Sequence, residues 1–304
     1  MTQLILEQAL NGLQFGLMLF LLAAGLTLVF GIMDMVNLAH GSLYMAGAYV
    51  AASVSAKTGS FPLAVGVAIL ATALLGGLLE VALLRRLYRR DHLSQVLATF
   101  ALILVANDGV RMIWGDMPMM LSMPEALSGP VEIGWFIYPS YRLLIIGVGV
   151  AAAAGLYWLV SRTKLGMWVR AGASNREMAR AMGINVRWLF TFIFAIGAAL
   201  CALAGALLGP LLAVQAGMGE NILILTFVVI VIGGIGSVRG ALAASLIVGM
   251  ADTLGRALLP ALMREMFRLE AASSLGPALA SILIYMLMAA ILFWRPEGLF
   301  PARS

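Results

Sequence analysis

Residues 11–51 read "NGLQFGLMLFLLAAGLTLVFGIMDMVNLAHGSLYMAGAYVA". Two apolar runs flank a short polar break, and the first is long enough to cross roughly 30 Å of hydrocarbon as a helix. Its Gly, Ala, Leu and Met content suits a helix rather than the alternating strand of a membrane barrel. The rest of the chain has the same character. Of 304 residues, 62% are hydrophobic and 11% charged, and the mean hydropathy is +1.02. That leaves too little polar surface to cover a soluble globule. The expected fold is an all-α, polytopic transmembrane helical bundle.

Working outward, apolar segments fall at about 9–31, 38–56, 61–84, 94–114, 139–161, 188–213, 221–236, 238–255 and 277–294. They predict about nine spans, within a range of 8–10. Met1–Ala9 carries Glu7 and no Lys or Arg, and the run behind it is too long for a secretory signal, so the first span is expected to be retained. Polar stretches are short loops, so residues 1–304 read as a single transmembrane domain.

Charge orients the spans. Arg85, Arg86, Arg89 and Arg90 crowd one loop, and Arg162, Lys164, Arg170, Arg176, Arg180 and Arg187 crowd another, at about 162–187. Both are expected to be cytoplasmic, whereas the loop at about 115–138, with Asp116, Glu125 and Glu132 and no basic residue, should face outward. The basic tail, Arg295 and Arg303, then requires an even number of crossings between residues 188 and 294. Splitting 221–255 at "GGIGSVRG" (233–240) meets that requirement and puts the N-terminus outside. The second span, 38–56, is also readable as re-entrant. Arg256, Arg264 and Arg268 fall on the outer side, diluted by Glu265 and Glu270.

The net charge of +5 comes from arginines gathered in a few loops, which suits lipid headgroups rather than nucleic acid. The one cysteine, Cys201, excludes an internal disulfide. Neither Lys57 nor Lys164 follows a glycine, so the chain carries no ATP-binding P-loop. His40 and His92 lie in different segments, and there is no HExxH, paired-acid or Cys-His metal pattern, so no enzyme chemistry and no metal site is expected.

"RAGASNREMARAMGINVRW" (170–188) interrupts the apolar chain with a short, capped helix. Ser174 and Glu177 have the spacing of a capping box, and Gly183 is placed as the C-terminal stop. At 100° per residue Met178, Ala179, Ala181 and Met182 share one arc, opposite Arg176, Glu177 and Arg180. With Asn175, that is a helix of about eight residues, roughly 12 Å long, too short to span or to stand alone. It either lies on the inner membrane surface with its arginines on phosphates or docks a cytoplasmic partner through its methionines.

The run Glu177-x-Ala179-x3-Gly183-x9-Ile193 resembles the cytoplasmic loop motif of ATP-binding-cassette import permeases, with Met178 in place of a second alanine and Ala195-Ile196 where many permeases have Leu-Pro. Residues 11–51, "TKLGMWVRAGASNREMARAMGINV" (163–186), "VVIVIGGIGSVRGA" (228–241) and "RPEGLF" (295–300) are similar to the branched-chain amino acid permease family, specifically its LivH-type subunit. The resemblance implies the importer permease fold, with residues 174–183 as a coupling helix. It also implies a complex with a LivM-type permease, two cytoplasmic ATPases that bind ATP and Mg, and an extracytoplasmic solute-binding protein. The setting is a bacterial cytoplasmic (inner) membrane, and the solute a branched-chain or other hydrophobic amino acid. Urea and amide importers share the family. A different class, ion-coupled secondary transport, would need intramembrane carboxylates, for which Asp34, Glu80, Asp108 and Asp252 are the candidates. Of these, Asp108 is placed to pair with Arg111 one turn later.

Polar groups inside a bundle are costly unless they face protein or a watery cavity, which makes Asn11, Asn37, His40, Ser42 and Asn107 pathway candidates. Asn37, His40 and Gly41 mark a possible helix break whose free amides would suit a carboxylate, and Gly233, Gly234, Gly236 and Ser237 offer the same option against the alternative of a tight turn. Gly197, Cys201, Gly205 and Gly209 recur every four residues as a smooth packing stripe, facing either the partner permease or another helix of this chain.

Overall fold

The structure is a computed structural model that describes residues 2–88, 90–133, 136–266 and 269–300. Arg89, Arg268 and Arg303 of the charge argument lie outside them, as do the side chains of Arg264, Glu265 and Glu270. Each of the nine apolar runs is a helix. They are α1 (Thr2–Met33), α2 (His40–Thr58), α3 (Phe61–Leu79), α5 (His92–Trp114), α6 (Ser140–Arg162), α9 (Val186–Leu208), α10 (Met218–Gly233), α11 (Val238–Met266) and α12 (Leu269–Trp294). Short elements fill the loops: a π-turn (Glu80–Leu84) leading into α4 (Arg85–Leu87), and α7 (Lys164–Ser174) followed by α8 (Arg176–Ala181). The acidic loop contains a hairpin, β1 (Pro130–Ile133) against β2 (Phe136–Pro139), which pairs Pro130 with Pro139 and is a small addition to the all-α expectation.

Among the described residues, six helices are long and apolar enough to cross a membrane unaided, namely the spans within α1, α3–α4, α5, α6, α9 and α11. Met218–Gly233 and Ala278–Trp294 are shorter apolar helices. α1 is the central post, with Met18 to Leu26 apart from Gly25 at most 1% exposed, as expected of a helix that is apolar all round. α9, α10 and α11 pack around it.

Both basic loops gather at one end of the bundle. Glu80 is fully buried there. It accepts hydrogen bonds from Arg85 Nη2 (3.0 Å), Tyr88 Oη (2.8 Å) and Thr191 Oγ1 (2.6 Å), tying α3 to the start of α9. The 233–240 turn is at this same end, since Leu299 N and Phe300 N donate to Ile232 O and Gly233 O, and Arg239 lies over the Tyr157 ring near the end of α6. Two crossings therefore split at the glycines. α5 also begins here, capped by Asp91, whose carboxylate accepts from Ser94 N (3.1 Å) and Oγ (2.7 Å); those bonds hold its pKa below the usual carboxylate range.

Two of the crossings are broken. After α1 reaches the basic end, residues 34–39 climb back without helical structure, and α2 starts inside the bundle, with His40 against Gly25 of α1 and Gly197 of α9. After α9 reaches the opposite end, Gly209 and Pro210 stop it, residues 209–217 descend, and α10 starts inside the bundle. The two units run in opposite senses, and their half-helices meet at their first turns. A Cβ added to Gly41 would lie 2.3 Å from Gly219 O, and one added to Gly219 would lie 2.2 Å from Gly41 O. The segment at 38–56 is thus the far half of a crossing that exits at Gly59, and not a loop that returns to its own side.

Candidate functional site: a capped surface helix and a mid-span polar face

At the basic end, α8 differs from the sequence reading in one respect. Ser174 is the last residue of α7, and Asn175 N still donates to Ala171 O, so Ser174 has helical backbone and cannot act as a cap. Asn175, extended at φ −154°, is the cap instead: its Oδ1 accepts from Met178 N at 2.9 Å. The cap is therefore one residue later than the Ser174/Glu177 box requires, and the helix is six residues long. Its end is as expected. Gly183, at φ +86°, is followed by the paired bonds Gly183 N to Arg180 O and Ile184 N to Ala179 O, which close the last turn.

The apolar arc of α8 is split. Ala179 is buried against the protein, and the Arg176 guanidinium sits 5.5 Å over the Phe190 ring, so the chain itself grips one edge of the helix. Met178 and Met182 remain 61% and 78% exposed, while Glu177, Arg180 and Ala181 are exposed beside them. α7, hidden from the sequence reading by its charges, is capped by Thr163 Oγ1 on Gly166 N and packs Gly166, Val169 and Gly172 inward. Next to α8, Leu165, Trp168, Met182, Trp188 and Phe192 line an apolar groove between α7 and α9.

The pathway candidates separate into four groups. Asn11 is used in packing: its Oδ1 accepts from Tyr138 Oη (2.9 Å) and from Arg142, fastening the hairpin and α6 to α1. Asn37 and His40 are fully buried at the first break, where Asn37 Oδ1 takes Ala39 N and His40 Nε2 lies 3.0 Å from Cys201 Sγ. Gly219 O fills the space in front of Gly41, so this break is closed. Gly233, Gly234, Gly236 and Ser237 form a tight turn at the basic end, where Ser237 N bonds Gly234 O and Gly233 packs on Gly240.

Asn107 and Ser42 are partly exposed. Asn107 clamps the first turn of α10, its Oδ1 accepting from Gly217 N (3.2 Å) and its Nδ2 donating to Glu220 Oε1 (2.6 Å). Glu220 and Asn221 are exposed beside it. Sequence reasoning passed over Glu220, although a carboxylate three residues after Gly217 inside an apolar run was a visible signal. The carboxylates it did weigh are mostly paired: Glu80 with Arg85 (3.0 Å), Asp108 with Arg111 (3.7 Å) and Asp252 with Arg256 (2.8 Å). Asp34 is exposed at the basic end of α1, at φ +48°.

The glycine stripe of α9 faces this chain's own α1 and α2. Gly197 packs on Gly25, a Cβ at Gly205 would lie 2.3 Å from Tyr44 O, and Gly209 meets Leu121 of the acidic loop.

A bundle with opposed half-helices, a capped helix at its basic end and a polar mid-span face is the architecture of a transport subunit. The family model described as branched-chain amino acid transport system / permease component matches residues 8–292, so the chain belongs to that permease family. It is 30% identical to the high-affinity branched-chain amino acid transport system permease protein BraD of Pseudomonas aeruginosa, over 97% of this chain and 95% of that one. It is 30% identical to the corresponding LivH protein of Escherichia coli, covering 84% and 87% of the two chains. A probable branched-chain amino acid transport permease protein LivH of Methanocaldococcus jannaschii is 27% identical over 78% and 76%. The chain is a multi-pass permease subunit of an ATP-binding-cassette importer.

Proposed function

We propose that this subunit moves a branched-chain or other hydrophobic amino acid inward across a bacterial cytoplasmic membrane by alternating access. A second, LivM-type permease completes the pathway, an extracytoplasmic binding protein delivers the solute, and two cytoplasmic ATPases, which bind ATP and Mg, supply the work through α8. The observation that carries this reading is the division of α8. Ala179, Arg176, the Asn175 cap and the Gly183 stop fix it to the bundle, while Met178 and Met182 stay exposed as an adaptable apolar surface. A helix held on one edge and free on the other transmits a push. A helix that only lay on lipid would expose the same methionines, so the two readings part on whether the ATPases bind there.

Met178→Arg combined with Met182→Arg tests the reading. The double variant leaves cap, stop and Arg176–Phe190 contact intact but places two charges on the docking surface, which costs several kcal/mol when they are buried unpaired, on the order of 3. It should reach the membrane at normal levels, lose the ATPases during purification and lose solute-stimulated ATP hydrolysis. Wild-type ATPase recovery with wild-type uptake would rule out α8 as the coupling element. Orientation is tested separately: cysteines at Ser128 and Ser174, both exposed, should label from opposite faces of oriented vesicles in a Cys201→Ser background, outside and inside respectively.

A further inference from the structure

Within the spans, the described carboxylates Glu80, Asp108 and Asp252 each have an arginine within 4 Å, whereas Glu220 and, near the start of α1, Glu7 have none. Glu220 is not near a surface. At about 1.5 Å per residue, Glu220 lies roughly 20 Å from the basic end of α10 at Gly233, and Asn107 about 10 Å from the opposite end of α5 at Trp114. At that depth an unpaired carboxylate against lipid costs about 3 kcal/mol or more, so Glu220 is expected to face water or the second permease instead. Its surroundings are mixed: Asn221 and Gln215 are exposed on the same segment, as are Leu212 and Ile224, and Asn107 fixes one carboxylate oxygen. Asn107 is engaged at both ends of its amide, since its oxygen takes Gly217 N, so the side chain of Glu220 is held in place; the Glu220 Oε2 has no partner among the described residues.

We infer that Glu220 is the cation-recognising group of the translocation pathway and receives the α-ammonium of a zwitterionic amino acid as it passes the break between α9 and α10. The inference rests on the importer reading and specifies its solute: the group that crosses this point carries a positive charge, which a sugar, urea or a simple amide does not. A carboxylate in a watery passage with low-dielectric walls attracts an ammonium strongly, and the hydrogen bond from Asn107 keeps it aimed without neutralising it. The position of Glu220 in the first turn of α10 also favours a negative charge through the helix dipole, but that role needs neither exposure nor a free oxygen.

The test uses the complete importer in liposomes, with Cys201→Ser and a cysteine in place of Asn221. Modification rates by a cationic and an anionic thiosulfonate reagent are compared with Glu220 present and with Glu220→Gln. Gln retains the hydrogen bond from Asn107 and removes only the charge. The ratio of cationic to anionic rates should fall roughly fivefold or more in the Gln variant, since a local carboxylate concentrates cations. In the otherwise wild-type complex, Glu220→Gln should lower the maximal rate of leucine uptake by about tenfold, and Glu220→Asp should restore part of it. An unreactive residue 221, an unchanged rate ratio, or full uptake by Glu220→Gln would each overturn the inference. The thiol measurement needs no solute, so a complex that retains its ATPases but imports no leucine would count against the amino-acid assignment and leave the Glu220 result to stand or fall by itself.

Discussion

The two broken crossings use the same device and end in opposite states. At 34–39 the polar groups turn inward: Asn37 and His40 are fully buried, and the break is filled by Gly25, Gly197, Cys201 and the carbonyl of Gly219. At 209–217 they turn outward: Asn107 spans from α5 to hold the first turn of α10, and Glu220 and Asn221 stay exposed. A half-helix that starts inside a bundle is therefore not a solute site by virtue of its geometry. The two first turns abut each other equally closely, Gly41 against Gly219, so backbone approach does not separate them. What does is where the polar side chains go: Asn37 and His40 are enclosed by Gly25, Gly197 and Cys201, while Asn107, 110 residues before Gly217, holds the second half-helix at a partly exposed edge beside Glu220.

The largest expected effect tests the closed break. Gly205→Leu would put side-chain atoms where Tyr44 O and Ala48 N now lie, forcing α9 away from α2 beside His40. A cost of about 3 kcal/mol or more is expected, seen as lost folded yield and a lower Tm in detergent. A wild-type Tm would mean that the stripe carries no packing and that the first break is not held shut by it.

The open break should respond differently. Asn107→Ala removes two hydrogen bonds at a partly exposed position, so a loss of about 1–2 kcal/mol is expected, with most of the yield kept and the uptake rate reduced. If Asn107→Ala unfolds the protein as thoroughly as Gly205→Leu, the second break is a packing element like the first and the contrast between them fails. The smallest effect lies outside both. Asn175→Ala deletes the cap of α8 at a cost of about 1 kcal/mol, and should raise hydrogen exchange at Met178 N while leaving the bundle's Tm nearly unchanged. An equal loss from Ser174→Ala would restore the capping box in place of Asn175.

Much of the architecture was legible along the chain because hydropathy and charge are sums over neighbouring residues. All nine apolar runs are helices, the basic loops share an end, and the split at 233–240 is where parity required it. The short helix α8 was legible in outline, down to its Gly183 stop, but its cap shifted by one residue because Ser174 is already committed to α7. Spacing alone cannot say which of two adjacent polar residues leaves the preceding helix. Candidate pathway residues were the least legible, since Asn11, Asn37 and Asn107 are the same residue type in similar apolar settings and meet a tyrosine, a backbone amide and a helix terminus respectively.

The sequence by itself determined that this protein lives in a membrane, which segments cross, which end is basic and which family it belongs to, because each follows from composition and pattern over a few tens of residues. Only the tertiary structure decided that the α9 stripe serves this chain's own α1 and α2, that one break is closed while the other is lined by Glu220, and that Met178 and Met182 are the free edge of α8. Those outcomes depend on contacts between residues as far apart as Asn107 and Glu220, 113 positions along the chain. Burial of a polar group is set by what packs against it, and no local count of residues contains that information.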